Sequence, residues 1–406
     1  MTRTEDRLTD ALTAVARGVR EETLPPLPAR SPAPAPRQWR RWLAPLAAAA
    51  SVTLIVVLVG AIHLLPGTPP GKVAAVAGPP RYYVSVATTG IQVRNTATGA
   101  VTARIPTPFA RRGSLGAYGG VGIAAGDGGR EFVFDYTPRP HVDYTPKPHV
   151  TAVQTRLYSF HLTSTGRVAG LSLVKGAPLR GVEAGTALAV SPDGSKVALA
   201  GYRLVHIGGH SAAGIVVINL RTGARAVWVS GLNRPGLNFT IPSISWSPRG
   251  DALVFLSQWC HGQFMLGFCG GSRHHAEVRR LQVTGAGGRL SASSVLLSES
   301  ARYPNIIQAR LTPDGKALTM VVLGPPYRGE NLPVPQDLQV IQVPLAGGGR
   351  PRLLYRSVTG PHPVVMLNSD ASGRHLLLTW RLNGWIDHGR LRPLAPQGRF
   401  TLTDAW

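Results

Sequence analysis

Cysteine is nearly absent: Cys260 and Cys269 are the only two in 406 residues. That excludes a disulfide-dense scaffold and any multi-cysteine zinc module. Lysine is almost as scarce. Lys72, Lys147, Lys175, Lys196 and Lys316 are all there are, so arginine supplies nearly the whole of a formal net charge of +23, in a composition rich in Ala, Gly and Pro that fits a GC-rich bacterial genome. The arginines do not gather into a stripe interleaved with aromatics, and aromatics make up only 7% of the chain. A nucleic-acid groove needs both features, so no nucleic-acid partner is expected.

Catalytic signatures are missing too. There is no P-loop, no H-E-x-x-H and no dinucleotide fingerprint. The nearest approach to a nucleophile elbow, Gly209 to Gly214, misses the G-x-S-x-G spacing by one residue. The 12 histidines and 20 carboxylates are scattered. No catalytic, cofactor-binding or metal-ligating residue is therefore assigned, and an enzyme is not expected.

Long apolar runs are absent with one exception. Residues 43–65, LAPLAAAASVTLIVVLVGAIHLL, carry no charge and are long enough to cross a hydrocarbon core of about 30 Å. Trp39 and Trp42 stand where an interfacial aromatic belt belongs, and Arg37, Arg40 and Arg41 immediately precede the span. The positive-inside rule then predicts a cytoplasmic N-terminus, a single membrane pass and an extracytoplasmic remainder. A cleaved signal ending near Ala77 competes with this, but the apolar run exceeds the roughly 7–15 residues of a signal core. An uncleaved signal anchor fits better.

The tail, residues 1–41, has Thr4 placed to cap a helix whose first turn holds Glu5 and Asp6. Leu8, Leu12, Val15 and Val19 follow at helical spacing on one face. Such a short amphipathic helix, in residues 1–24, either docks on a cytoplasmic partner or frays. A proline-rich spacer leads from it to the membrane.

After a linker at 66–80, glycine and proline become abundant and the sequence begins to repeat. An apolar strand, a tight turn and a second strand recur as LAVSPDGSKVALAG, ISWSPRGDALVFLS and ARLTPDGKALTMVVLG, with weaker copies GIAAGDGGREFVFD and LNSDASGRHLLLTW. The turn residues assigned are Asp127, Gly129, Asp193, Gly194, Gly250, Asp314, Gly315 and Gly373. Aligned on their glycines, the copies lie 65, 56, 65 and 58 residues apart. In each, Pro presets φ, Asp bonds the local backbone and Gly takes a positive φ. Further strand pairs with glycine turns lie between them, including GIVVINLRTGARAVWV and EVRRLQVTGAGGRLSA, so the unit is four strands.

Ser191-Pro192-Asp193-Gly194, Thr312-Pro313-Asp314-Gly315-Lys316 and the altered Ser247-Pro248-Arg249-Gly250 resemble the turns of WD40-like, or TolB-type, β-propeller repeats. The resemblance covers the chain from about Tyr82 to its end and implies an all-β propeller over residues 81–406. Six blades are expected, with five and seven open. A β-sandwich competes, but nothing in one calls for a repeat near sixty residues.

Cys260 and Cys269, within QWCHGQFMLGFCGG, are expected to form a disulfide that pins a hairpin-like insertion; the spacing to His261, His274 and His275 fits no usual zinc pattern. DYTPRPHV at 135–142 is repeated at once as DYTPKPHV at 143–150, which reads as loop expansion.

Together these features predict a monomeric, membrane-anchored propeller that binds a protein, peptide or envelope polymer without catalysis. Beyond the span, 35 Lys and Arg stand against 15 Asp and Glu, a surplus of 20 positive charges that suits an anionic envelope surface. Two other readings are a transmembrane regulator, resembling anti-sigma factors in layout only, and a propeller enzyme such as a lyase or glycosidase.

Overall fold

Frequent turns and short apolar stretches leave no room for long helices here, and the computed structural model contains 28 β-strands and two single-turn 3₁₀ segments among its described residues. Those are residues 78–405, less 88–89, 106–121, 138–153, 181–182, 208–209, 231–236, 262–263, 266–267, 270–272, 325–335, 347–348, 360–364, 371, 380–383 and 395–400. The chain divides into two compact units, Met1–Lys72 and Val73–Trp406. The expected tail helix and the span at 43–65 lie outside the described residues. Among those described, no helix is long and apolar enough to cross a membrane.

The strands form six antiparallel blades. Each is written from its innermost strand, a, to its outermost, d. Blade 1 is Thr401–Ala405, Tyr82–Ala87, Gly90–Asn95 and Val101–Ile105; blade 2 is Ile123–Ala125, Glu131–Tyr136, Gln154–Leu162 and Val168–Leu173. Blade 3 is Glu183–Val190, Lys196–Ile207, His210–Asn219 and Arg225–Val229; blade 4 is Leu237–Trp246, Ala252–His261, Arg273–Gln282 and Ser294–Ser298. Blade 5 is Ile306–Leu311, Ala317–Leu323, Gln336–Pro344 and Arg352–Thr359; blade 6 is Met366–Ser369, Leu376–Thr379, Gly384–Asp387 and Arg390–Pro393. The six a strands touch in ring order, and blade 6 meets blade 1. This is a closed six-bladed propeller.

Blade 1 is composite: its a strand comes from the C-terminus and its b strand from the start of the domain, pairing Val84 with Ala405. This explains why five turn motifs serve six blades. The missing a–b turn is where the two chain ends meet.

Six apolar clusters fill the six gaps between blades. The b strands are sandwiched on both faces, so Ala317–Leu323 and Leu376–Thr379 are buried at every position. Strands buried on both sides read as continuous apolar runs rather than alternating ones. Outer strands alternate or are exposed, as Val168–Leu173 is. Among the described residues, the gap that closes the ring holds Tyr83, Leu377 and Leu394 buried with Trp385 packed against them.

All five turn copies share two backbone hydrogen bonds. The N–H of the first turn residue, at Gly126, Ser191, Ser247, Thr312 and Asp370, donates to the carbonyl five positions on, and the glycine N–H three positions on donates back to the first residue's carbonyl. Ser191 Oγ and Thr312 Oγ1 donate to Asp193 and Asp314 at 2.6 Å. In the Ser-Pro-Arg-Gly copy Asp251 takes that part, accepting from Ser247 Oγ at 2.6 Å.

Two expectations need correction. Gly129 aligns with the other turn glycines, but Asp127 then occupies the proline position of the motif and not that of Asp193. Within EVRRLQVTGAGGRLSA, the second half is not blade 4's outer strand. Gly287–Arg289 crosses to the edge of blade 3 and pairs in parallel with Arg225–Val229, while Ser294–Ser298 closes blade 4.

Candidate functional site

Because strands alternate in direction, the a–b and c–d turns share one face of the ring, and the b–c and d–a connections share the other. The a–b turns and most c–d turns are short and tightly hydrogen-bonded. The connections on the opposite face include 106–121, 138–153, 262–272 and 325–335. Long connections on a rigid scaffold are where binding residues concentrate. The duplicated DYTPRPHV segment begins at the end of blade 2's b strand on this face, and beyond Thr137 it lies outside the described residues.

The cysteine segment is also on this face. It is a hairpin insertion between strands b and c of blade 4, with Phe264–Met265 paired to Phe268–Cys269. Cys260 pairs with Asn238 and Arg273, and Cys269 with Phe264, so the ladder does not set the two cysteines opposite each other. Their side chains, and with them the expected disulfide, lie outside the described residues.

The a strands present a free edge to the central channel, whose N–H and C=O groups need partners. In blades 4 to 6, side chains supply them. Ser243 Oγ donates to Ala309 O at 3.0 Å and accepts from Ala309 N at 3.1 Å; Ser245 Oγ accepts from Leu311 N at 3.0 Å. Two residues of blade 5's a strand then bridge its neighbours. Gln308 Nε2 donates to Pro242 O at 3.3 Å and lies 3.8 Å from Met366 Sδ. Arg310 Nη1 donates to Asn368 Oδ1 at 2.6 Å, and Nη2 to Ile244 O at 3.4 Å. Pro242 suits this strand because an edge position has no ladder bond to lose there.

Arg310 lies deep in the ring yet retains accessible surface, the signature of a channel-lining group. Burial holds its pKa down at about 10, and no carboxylate among the described residues offsets that. Beside it a small cleft, partly open to solvent, lies between blades 5 and 6, lined by Arg310, Thr312, Pro313, Thr319, Ser369 and Gly373 among others.

A second buried ionisable group, Asp135, sits on blade 2's b strand facing blade 3. One oxygen accepts from Gly122 N, and the other, Oδ2, has no partner among the described residues. Burial pushes its pKa up to about 8, against the smaller opposing effect of backbone donors. Thr137 and Thr155 hydroxyls bond each other at 2.8 Å on the same face. No group of metal-ligating side chains occurs among the described residues.

The assigned turn residues do not converge on a site. They are spaced around the tight-turn face in five turns, one in each of blades 2 to 6. The residues that do converge, Ser243, Ser245, Gln308, Arg310 and Asn368, were not singled out from the sequence. Their signal was faint: polar alternation in strands adjoining all-apolar ones.

No family model and no curated relative matches the chain. Among solved structures, the chain is similar to one described under two prolyl endopeptidases and inter-domain dynamics, at 18% identity and TM-score 0.34, covering 66% of this chain and 34% of that one. It therefore spans about a third of that protein's length. It is also similar to the Dos1 propeller, at 11% identity, TM-score 0.39 and 77% coverage of each chain. The Cps50 (Swd1) β-propeller domain of Myceliophteria thermophila follows at 10% identity and TM-score 0.37, covering 79% of this chain and 84% of that one. Likeness at this level carries no argument about function, and the propeller assignment rests on the blade order of this chain itself.

Proposed function

We propose that this protein is a non-enzymatic binding module, held outside the cell membrane by residues 43–65, that takes a protein, peptide or envelope polymer on its loop-bearing face and channel mouth. The observation that carries the reading is the asymmetry of the ring: tight turns occupy one face, and the long connections open on the other, around a channel with a polar wall. The chain also enters the ring on the tight-turn face, where Thr96 Oγ1 donates to Pro80 O at 2.6 Å and Thr96 N to Arg81 O at 2.9 Å. The loop-bearing face is thus opposite the point where Pro80 and Arg81 lead into the ring.

The surplus of positive charge downstream of the span favours an anionic partner. Co-sedimentation of the full-length protein with isolated cell envelopes tests this. The reading predicts saturable retention that weakens with salt and is lost when 138–153 and 325–335 are replaced by short Gly-Ser links. Retention indifferent to both replacements, or none at low salt, contradicts it.

A further inference from the structure

The Arg310 guanidinium has five N–H donors, and two have partners. Both partners, an amide oxygen and a main-chain carbonyl, are neutral. The nearest carboxylates along the chain are engaged in their own turns: Asp314 by Thr312 Oγ1 and Lys316 N, Asp370 by Ser372 and His375. Among the described residues, the only sealed polar side-chain atoms without a partner are Asp135 Oδ2 and Thr240 Oγ1. Arg310 Nε has no partner among the described residues and is not one of the sealed atoms, so it keeps accessible surface. A cation at this depth is costly without a counter-ion, and among the described residues no carboxylate pairs with it.

We propose that Arg310 is the anchoring point of an oxyanion-binding site in the channel, taking a carboxylate or a phosphate group in bidentate fashion. Asn368 and Ile244 O hold the guanidinium across blades 4 to 6, so its free edge is presented rather than searching. The hydroxyl-bearing residues Thr319 and Ser369 line the adjoining cleft, and the anion itself would sit on the channel side of the guanidinium. Thr312, Pro313 and Gly373 also line the cleft, so the site lies toward the tight-turn end of the channel; it extends the binding-module reading inward from the loop-bearing mouth and rests on that reading for its purpose, but not for its existence.

The test is thermal unfolding and calorimetric titration of the full-length protein with inorganic phosphate, and separately with acetate, against chloride at equal ionic strength. Saturable binding of either anion, accompanied by a rise in Tm, is expected. A response to phosphate alone points to phosphate-bearing ligands, and one to acetate alone to carboxylates such as a peptide C-terminus. Arg310→Gln should weaken binding at least tenfold. Asn368→Asp places a carboxylate where Oδ1 now lies 2.6 Å from Nη1. It should abolish the anion response and raise Tm in anion-free buffer, a gain that a merely structural arginine would not produce. If Arg310→Gln does not fold, Asn368→Asp decides alone. No saturable response in the parent protein, or the same response in Asn368→Asp, overturns the site. Anion binding that Asn368→Asp abolishes, without retention on envelopes, would keep the site and defeat the wider reading; the reverse pair of results would do the opposite.

Discussion

At the scale of single residues, the repeat motif does more than make turns. A Cβ added to Gly373 would lie 2.5 Å from Pro313 Cδ, and one on Gly315 would lie 2.9 Å from Pro248 Cγ. The glycine of one blade's turn rests on the proline of the preceding blade's turn. Gly194 has no such partner because Asp127 stands where the proline would be; its Cβ would meet only Glu131 Oε2, at 3.0 Å. All three have positive φ, which alone disfavours Ala. Gly373→Ala is therefore predicted to cost about 2–4 kcal/mol, from strain plus overpacking, and Gly194→Ala about 1 kcal/mol. Urea unfolding should also show Gly373→Ala becoming milder in a Pro313→Ala background. The motif was legible because turns demand particular residue types. Its interlocking was not, because the contact joins residues some sixty positions apart.

The titratable residues predict a pH profile. Asp193 is held down at about 2, chiefly by Ser191 and Ser195, and hydrogen bonds from Ser247 and Thr312 likewise lower Asp251 and Asp314. Their stabilisation is present above the ordinary carboxylate range and is lost as pH falls through the folded values. Asp135 acts in the opposite sense. Its folded pKa is raised to about 8, so the native state holds its proton more tightly than the unfolded chain does, and stability is lost as pH rises from about 4 through 8. Maximal stability is expected at about pH 4–6. Asp135→Asn should flatten the alkaline limb and leave the acid limb unchanged when Tm is followed against pH.

At the scale of strands, burial on both faces made the b strands legible as apolar runs, whereas the a strands were harder to place. Their serines, glutamine and arginine read like solvent-facing alternation, yet they partner the free edge of a neighbouring strand across the channel. The crossing of Gly287–Arg289 to blade 3 was illegible for a related reason: a three-residue parallel pairing carries no hydrophobic period. A Cβ on Gly287 would come within 2.1 Å of Val227 O. Gly287→Val should therefore detach this strand and uncover an edge that already exposes Val227. Hydrogen exchange confined to 225–229 should quicken, with increased self-association and little change in the other blades.

At the scale of the whole molecule, the ring is closed by the strand Thr401–Ala405. Removing 401–406 strips the innermost strand from blade 1 and opens the seam to blade 6, and cooperative unfolding should give way to a broad transition. Closure by the C-terminal strand was not legible, because TLTDAW has neither a turn motif nor an apolar run. The number of blades was, since five turns and unmatched N-terminal strands already added to six.

The proposed display of this ring outside the membrane, with its loop-bearing face available to a partner, is tested most directly by labelling Cys260 and Cys269 with a membrane-impermeant thiol reagent on intact cells, with and without prior reduction, and with Ser31→Cys as a control in the tail. Labelling of the blade 4 hairpin in sealed cells, with position 31 silent until the cells are opened, is the predicted result. Labelling of position 31 from outside, with the hairpin silent until the cells are opened, would contradict it.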